Sequence, residues 1–397
     1  MRYVVAVVGI FVLVVSVIVC GDPDGEPGTR SFLVVVEGSL HEPLRASLEQ
    51  YAETMALERY EVHVQPFVPQ SVDEGDHVWE LRDFLFEFVD SHGIEGALLI
   101  GDLPKAMYEM PVALPYDLEA LEEFPTDIFL QDRDAWWADN DHDNVIEQHG
   151  ELEADIYTSR LIGTTERLVA YFARLERYRR EGPLVDSSAF IFIDDDWHRM
   201  DTSDAFLLGK LYGEIEVVKD RAESSREYYL EKLTGDGAEF VYQWVHAAPP
   251  KPTDEEDKQK KPAWLAFEDG VAQPKLWAND IGNDIGEHNL KVSFVNMADC
   301  YAARLEDEEL SLASAYTVGT DYGLATIGSS KTGAQTNPRL FHESLARGLS
   351  WGEAYKVWYN QEGKKNDLWH LGIILMGDPL LRVPGGSSLA GSSPEMN

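Results

Sequence analysis

The stretch VSFVNMADC, Val292 to Cys300, is an apolar run closed by a carboxylate and a thiol. A short continuous apolar run of this kind reads as a strand buried on both faces. Parallel sheets covered by helices are built from such strands, and their ligands bind in the crevice outside the strands' carboxyl ends. Cys300 therefore stands where an α/β protein puts its chemistry. Two readings are open for it: a small buried hydrophobe, or a nucleophile presented at the sheet edge.

Strand and helix alternate outward from this segment. On the amino-terminal side, Phe32–Val36, Tyr60–Val64, Gly96–Asp102, Phe190–Ile193, Ile215–Val218 and Phe240–Val245 read as strands. Helical spacing covers His41–Leu57, Val78–Val89, Thr165–Arg180, 203–212 and 225–233, with Gly182-Pro183 as a stop signal. Beyond Cys300 come a helix at Leu310–Val318, a strand at Leu324–Gly328, helices at 338–347 and 350–361, and a closing segment Leu371–Val383. Residues 104–160 are less regular, and 247–270 are Pro-rich and charged, hence a loop. The pattern predicts an α/β fold with a mostly parallel central sheet flanked by helices. It falls into two α/β halves, 31–182 and 183–384, the second holding the thiol.

The ends of the chain read differently. Val4 to Val19 is apolar and uncharged after Met1-Arg2, too short for a spanning helix of about 20 residues, and fits a signal peptide over 1–20. Val17-Ile18-Val19-Cys20 is a loose lipoprotein signal, with Val19 where a small residue is usual and Cys20 as the lipidation site. A Pro/Gly linker, 21–30, follows, and the Gly/Ser-rich tail 385–397 reads as disordered. The expectation is an exported chain, at the cell surface or periplasmic or secreted, touching membrane only through its signal or lipid. With Cys20 removed or lipidated, Cys300 is the one cysteine left, so no intrachain disulfide is expected.

With 71 acidic residues against 33 basic, the formal net charge is −38, which argues against nucleic-acid binding. Such a surface attracts cations or basic peptides. Asp139, Asp141, Asp143 and Glu147 alternate on one acidic segment and suit Ca²⁺, although the glycine of a full EF-hand loop is missing.

A cysteine nucleophile needs a base. Of the 11 histidines, His246 ends an apolar strand as Cys300 does. If the two strands are parallel neighbours, both side chains emerge at one edge. A histidine acting only as a polar strand cap is the alternative. Asp194-Asp195-Asp196 ends a third strand at that edge. No G-x-S-x-G elbow, C-x-x-C or H-E-x-x-H motif occurs, and GSSKTG (328–333) lacks the glycine before lysine that a phosphate loop needs.

These residues, in this order, resemble the gingipain family of cysteine peptidases. The resemblance is carried by the strand to His246, the run Trp277–Ile281, VSFVNMADC, DNDHDNVIEQHGELEADIYTSRL (139–161), YGLATIGSSKTG (322–333), LFHESLARGLSWGEAY and LGIILMGDPLLRV. It covers about 31–384 and implies a caspase-like fold. It further implies an endopeptidase working through a thioester acyl-enzyme, with Cys300 as nucleophile, His246 as general base, and the N–H groups of Cys300 and Ala247 as the oxyanion hole. No cofactor is implied for the chemistry, and a structural Ca²⁺ is. Substrates would be proteins or peptides, with Asp155 and Asp195 in the pocket for the residue before the cut. The family's histidine is usually flanked by glycines; Val245 and Ala247 stand here. That departure motivates a second reading, a catalytically degenerate surface lipoprotein acting as a binding module.

Overall fold

The computed structural model describes residues 28–112, 120–199, 205–248, 264–267, 274–282, 288–305 and 310–384. The signal segment with Cys20, the linker before residue 28, most of loop 247–270 and the tail 385–397 lie outside the described residues. Among the described residues no helix is long and apolar enough to cross a membrane.

The amino-terminal half opens with β1 (Arg30–Glu37), α1 (Gly38–Leu57), β2 (Tyr60–Phe67), α2 (His77–His92) and β3 (Ile94–Ile100). Five short strands follow: β4 (Met107–Pro111), β5 (Leu121–Pro125), β6 (Trp137–Ala138), β7 (Val145–Ile146) and β8 (Gln148–His149). The one-turn helix α3 (Ile128–Gln131) lies among them, and β9 (Tyr157–Leu161) and α4 (Thr165–Glu181) close this half. The second half contains β10 (Ala189–Ile193), α5 (Ala205–Leu208), β11 (Ile215–Val218), α6 (Arg226–Thr234), β12 (Ala238–Trp244), β13 (His246–Ala248), β14 (Trp264–Ala266) and β15 (Lys275–Trp277). It ends with α7 (Ala278–Ile281), β16 (Val292–Met297), α8 (Leu312–Val318), β17 (Ala325–Ser329), α9 (Arg339–Ala346), α10 (Trp351–Gln361), α11 (Asp367–His370) and β18 (Ile373–Gly377).

Local chemistry explains the boundaries. Leu44, Leu48, Tyr51 and Met55 recur at helical spacing and form the buried stripe of α1. Thr164 caps α4 by accepting from the Arg167 N–H. Ser350 and Glu353 form a reciprocal capping box at the start of α10. The strands VSFVNM and AFIFI are buried along their whole length, because helices cover both faces.

Ten strands form one sheet in the order β11-β10-β12-β16-β17-β18-β9-β3-β1-β2. From β11 to β17 all neighbours are parallel. From β18 to β2 they are parallel again. The seam between β17 and β18 is antiparallel, with Ser329 opposite Ile373 and Ala325 opposite Gly377. The two halves of the sheet therefore run in opposite senses. The carboxyl ends of β10, β12, β16 and β17 share an edge with the first residues of β18 and β9. The carboxyl ends of β1, β2 and β3 lie at the other edge. The expected mostly parallel α/β architecture is what the chain adopts, with two local corrections. Residues 264–266, read as loop, pair with β13 as a strand, and the helix expected over 203–212 is the single turn α5. Pairing across the small sheet and the tertiary surroundings override local composition at both places.

Candidate active site

The condition on which the shared-edge reading of His246 and Cys300 depends is met: β12 and β16 are adjacent and parallel, with Gln243 opposite Met297. The last rung is the Ala298 N–H donating to the Gln243 carbonyl at 2.9 Å. Beyond it the chains diverge, one to Val245 and His246, the other to Asp299 and Cys300. The Asp299 carboxylate bridges the gap. Its Oδ1 accepts from the Val245 N–H at 2.8 Å and its Oδ2 from the Gln243 side-chain amide at 2.5 Å. Gln243 Oε1 in turn accepts from the Tyr229 hydroxyl, which meets the Tyr316 hydroxyl at 2.7 Å. Asp299 is 1% exposed. Burial pushes its pKa up to about 8, with the Asp194 charge adding to the rise and the two accepted hydrogen bonds opposing it.

Cys300 is partly exposed. Tyr301 turns the chain after it at φ 57° and donates its N–H to the Lys331 carbonyl at 2.9 Å. The loop after β17 thereby wraps the thiol. Gly333, at φ 156°, hydrogen-bonds the thiol through its backbone, and a Cβ there would lie 2.6 Å from the Trp369 carbonyl oxygen. Burial raises the thiol's pKa; the charges of Asp299 and Glu122 add to the rise, while Gly333 and Lys331 oppose it. Glu122 reaches this loop from β5, accepting from the Thr332 N–H at 2.8 Å and lying 3.8 Å from the Lys331 ammonium. Lys331 is fully buried, and burial lowers its pKa. Burial thus works against the thiolate, and a base is what would favour its formation.

His246 sits on β13, half exposed. Its Nε2 lies 2.9 Å from Asp196 Oδ2, and its ring packs 4.3 Å from that of Trp197. A carboxylate at Nε2 calls for the Nε2–H tautomer, which leaves Nδ1 as the acceptor. Among the described residues no hydrogen bond joins His246 to Cys300. The three aspartates after β10 do separate work. Asp194 is buried, and its N–H donates to the Trp244 carbonyl at 2.9 Å. Asp195 pairs with Arg221 at 2.8 Å, and Asp196 orients His246. The Cys300 N–H has no hydrogen-bond partner among the described residues. Ala247, the other expected oxyanion donor, is buried on β13 opposite Leu265.

Asp155 stands just before β9, on the Cys300 edge of the sheet but with β17 and β18 between it and β16. Its Oδ2 accepts from the Arg133 N–H at 2.8 Å. The structure does not bring it to the thiol; the acid beside the thiol loop is Glu122. Asp139, Asp141, Asp143 and Glu147 do converge, each offering an oxygen within 4.8 Å of the others. Asp139 accepts from the N–H groups of His142 and Asn144, and Glu147 accepts from that of Asn140, which folds the loop around the cluster. Asp141 is held above the usual carboxylate range by desolvation first, then by the charges of Asp143, Glu147 and Asp139.

Sequence reasoning missed Asp196 as the histidine's partner, Asp299 as the bridge, and Glu122 and Lys331 beside the thiol. Position in the chain did signal Asp299 and Asp196, since each ends a buried strand of the same edge.

Comparison with models of known families, with characterised proteins and with solved structures found no match for this chain.

Proposed function

We propose that this chain is an exported cysteine endopeptidase. The observation that supports the reading is the parallel β12–β16 pairing, which sets the strand ends leading to His246 and to Cys300 side by side at one edge of the sheet. In the reaction, His246 Nδ1 takes the Cys300 proton and the sulfur attacks the scissile carbonyl carbon. The oxyanion forms against the Cys300 and Ala247 N–H groups, each such donor being worth about 3–4 kcal/mol of barrier. His246 returns the proton to the amine as the C–N bond breaks, leaving a thioester. Water, deprotonated by His246, releases the acid and restores the thiol. Asp196 holds the tautomer and stabilises the imidazolium.

The acidic loop supports a structural Ca²⁺ held by Asp139, Asp141, Asp143 and Glu147. Oxygens around one calcium ion lie no more than about 5 Å apart at ordinary Ca–O distances, and the four side chains offer oxygens all within 4.8 Å of one another. The chemistry runs without it. Export and lipid attachment at Cys20 rest on the sequence, and radiolabelled fatty acid incorporated into the wild type but not C20A tests them.

The test of the peptidase reading is covalent labelling of Cys300 by iodoacetamide or a peptidyl acyloxymethyl ketone at neutral pH, with loss of labelling in H246A. Fluorogenic peptides varied at the residue before the cut, with Ca²⁺ present, give turnover. A thiol unreactive in both assays overturns it. The second reading, a scaffold that binds a partner and no longer cuts, is favoured by the raised thiol pKa and by the missing His246–Cys300 hydrogen bond. Turnover abolished by C300A rules that reading out.

A further inference from the structure

Among the described buried groups, Asp299 touches both strand ends of the site and takes no part in the chemistry above. We propose that Asp299 is the positioning residue of the site: its carboxyl group fastens the backbone that presents His246 to the strand end that presents Cys300. The inference rests on the peptidase reading for its purpose, and on geometry alone for its existence.

Three features carry it. First, Asp299 is one residue from Cys300, and its Oδ1 accepts from Val245, one residue from His246, at 2.8 Å. One side chain thus spans the two places where the ladder has ended. Second, the bridge is backed. Gln243 presents its amide to Oδ2, and its orientation is set by Tyr229 and Tyr316 behind it. Such a chain of bonds leaves Oδ1 little freedom to wander. Third, burying a polar carboxyl group among apolar strands is costly unless its bonds are made, and a leucine or alanine would fill the site with no such cost. The 1% exposure of Asp299 is therefore a cost that the fold bears where the reacting groups diverge. A displacement of about 1 Å between a nucleophile and its base can lower a rate about 100-fold, the kind of error such a bridge prevents.

The experiment is a double-mutant cycle on the full chain. The rate of Cys300 alkylation by iodoacetamide is measured at pH 7 for wild type, D299A, D299N, H246A and D299A/H246A, beside kcat and KM on the best fluorogenic peptide. Circular dichroism checks that each variant is folded. D299N keeps an oxygen for the Val245 N–H once the Gln243 amide turns over. It is expected to stay within about threefold of wild type. D299A is expected to lower both alkylation and kcat by about 10- to 100-fold with KM within about twofold. Adding H246A to D299A should cost little more, because the histidine is already misplaced. The proposal is overturned by D299A alkylating at the wild-type rate, by fold-losses of D299A and H246A that multiply, or by an H246A variant that alkylates like wild type. If D299A does not fold, D299S and D299S/H246A decide: a D299S that alkylates at the wild-type rate, or a loss in D299S that multiplies with that of H246A, overturns the proposal, and a loss that does not multiply supports it. A wild type that turns over no peptide but keeps a non-additive alkylation cycle ends the peptidase reading and leaves the positioning role standing.

Discussion

The sheet has two carboxyl edges, and they are furnished differently. At one, β10, β16 and β17 end in polar groups tied into the core: Asp194 and Asp299 are buried, and Lys331 is fully enclosed against Phe124, Glu122 and backbone carbonyls. At the other, β1, β2 and β3 end in a cavity of about 460 Å³ lined by Glu37, His77, Asp102 and Lys105. There the polar groups pair near water. Lys105 meets Asp102 at 2.6 Å with the aspartate 75% exposed, and Glu37 accepts from the Asp102 N–H at 2.9 Å. Both edges follow from the same β-α-β topology. Topology supplies two crevices, and buried, mutually fastened polar groups distinguish the one to which the proposed chemistry is assigned.

C300A should lower turnover by roughly 10⁴-fold or more, and H246A by roughly 10³-fold, read as kcat/KM on a fluorogenic peptide. Equal activity in either variant would move the chemistry away from this edge. D196N, which removes the charge at His246 Nε2, should cost about 10-fold in kcat and leave the urea midpoint unchanged, since the pair is exposed.

The buried acid makes stability fall with rising pH. The Asp299 pKa is raised from an ordinary value of 3.8 to about 8, so between those values the unfolded chain has released a proton that the folded chain retains. Stability then declines through that window, by at most about 1.4 kcal/mol per pH unit. Glu239, buried between Tyr178 and Ser187 and pushed up to about 7, acts in the same sense over its own narrower window. D299N should flatten the decline, most visibly between pH 7 and 8, in urea titrations at stepped pH. A slope unchanged by D299N contradicts the assignment.

Smaller effects belong to the amino-terminal half. Millimolar Ca²⁺ should raise Tm by a few degrees in wild type and not in a D141N/D143N variant, read by scanning fluorimetry. K105A, at the other carboxyl edge, should leave kcat/KM within about twofold. A larger loss would mean that both crevices serve the reaction.

Most of the fold was legible because its elements are local. Leu44, Leu48, Tyr51 and Met55 announce α1, and VSFVNM and AFIFI announce buried strands. The direction of β18 was not legible, since IILMG carries the same pattern whether its neighbour runs parallel or antiparallel. In the site, Cys300 and His246 could be picked out because each closes an apolar run. Asp196 could not be matched to His246 from the chain, as α5, β11, α6 and β12 all lie between them.

Residue order alone determined the alternation of strand and helix, the thiol at a strand's end and the strongly acidic surface, because periodicity and charge are properties of neighbouring residues. The antiparallel seam, the pairing of His246 with Asp196 and the bridge made by Asp299 were decided only by the tertiary structure. Each depends on groups that burial brings within hydrogen-bond reach across long stretches of chain, and no local pattern encodes which distant donor a buried carboxylate will meet.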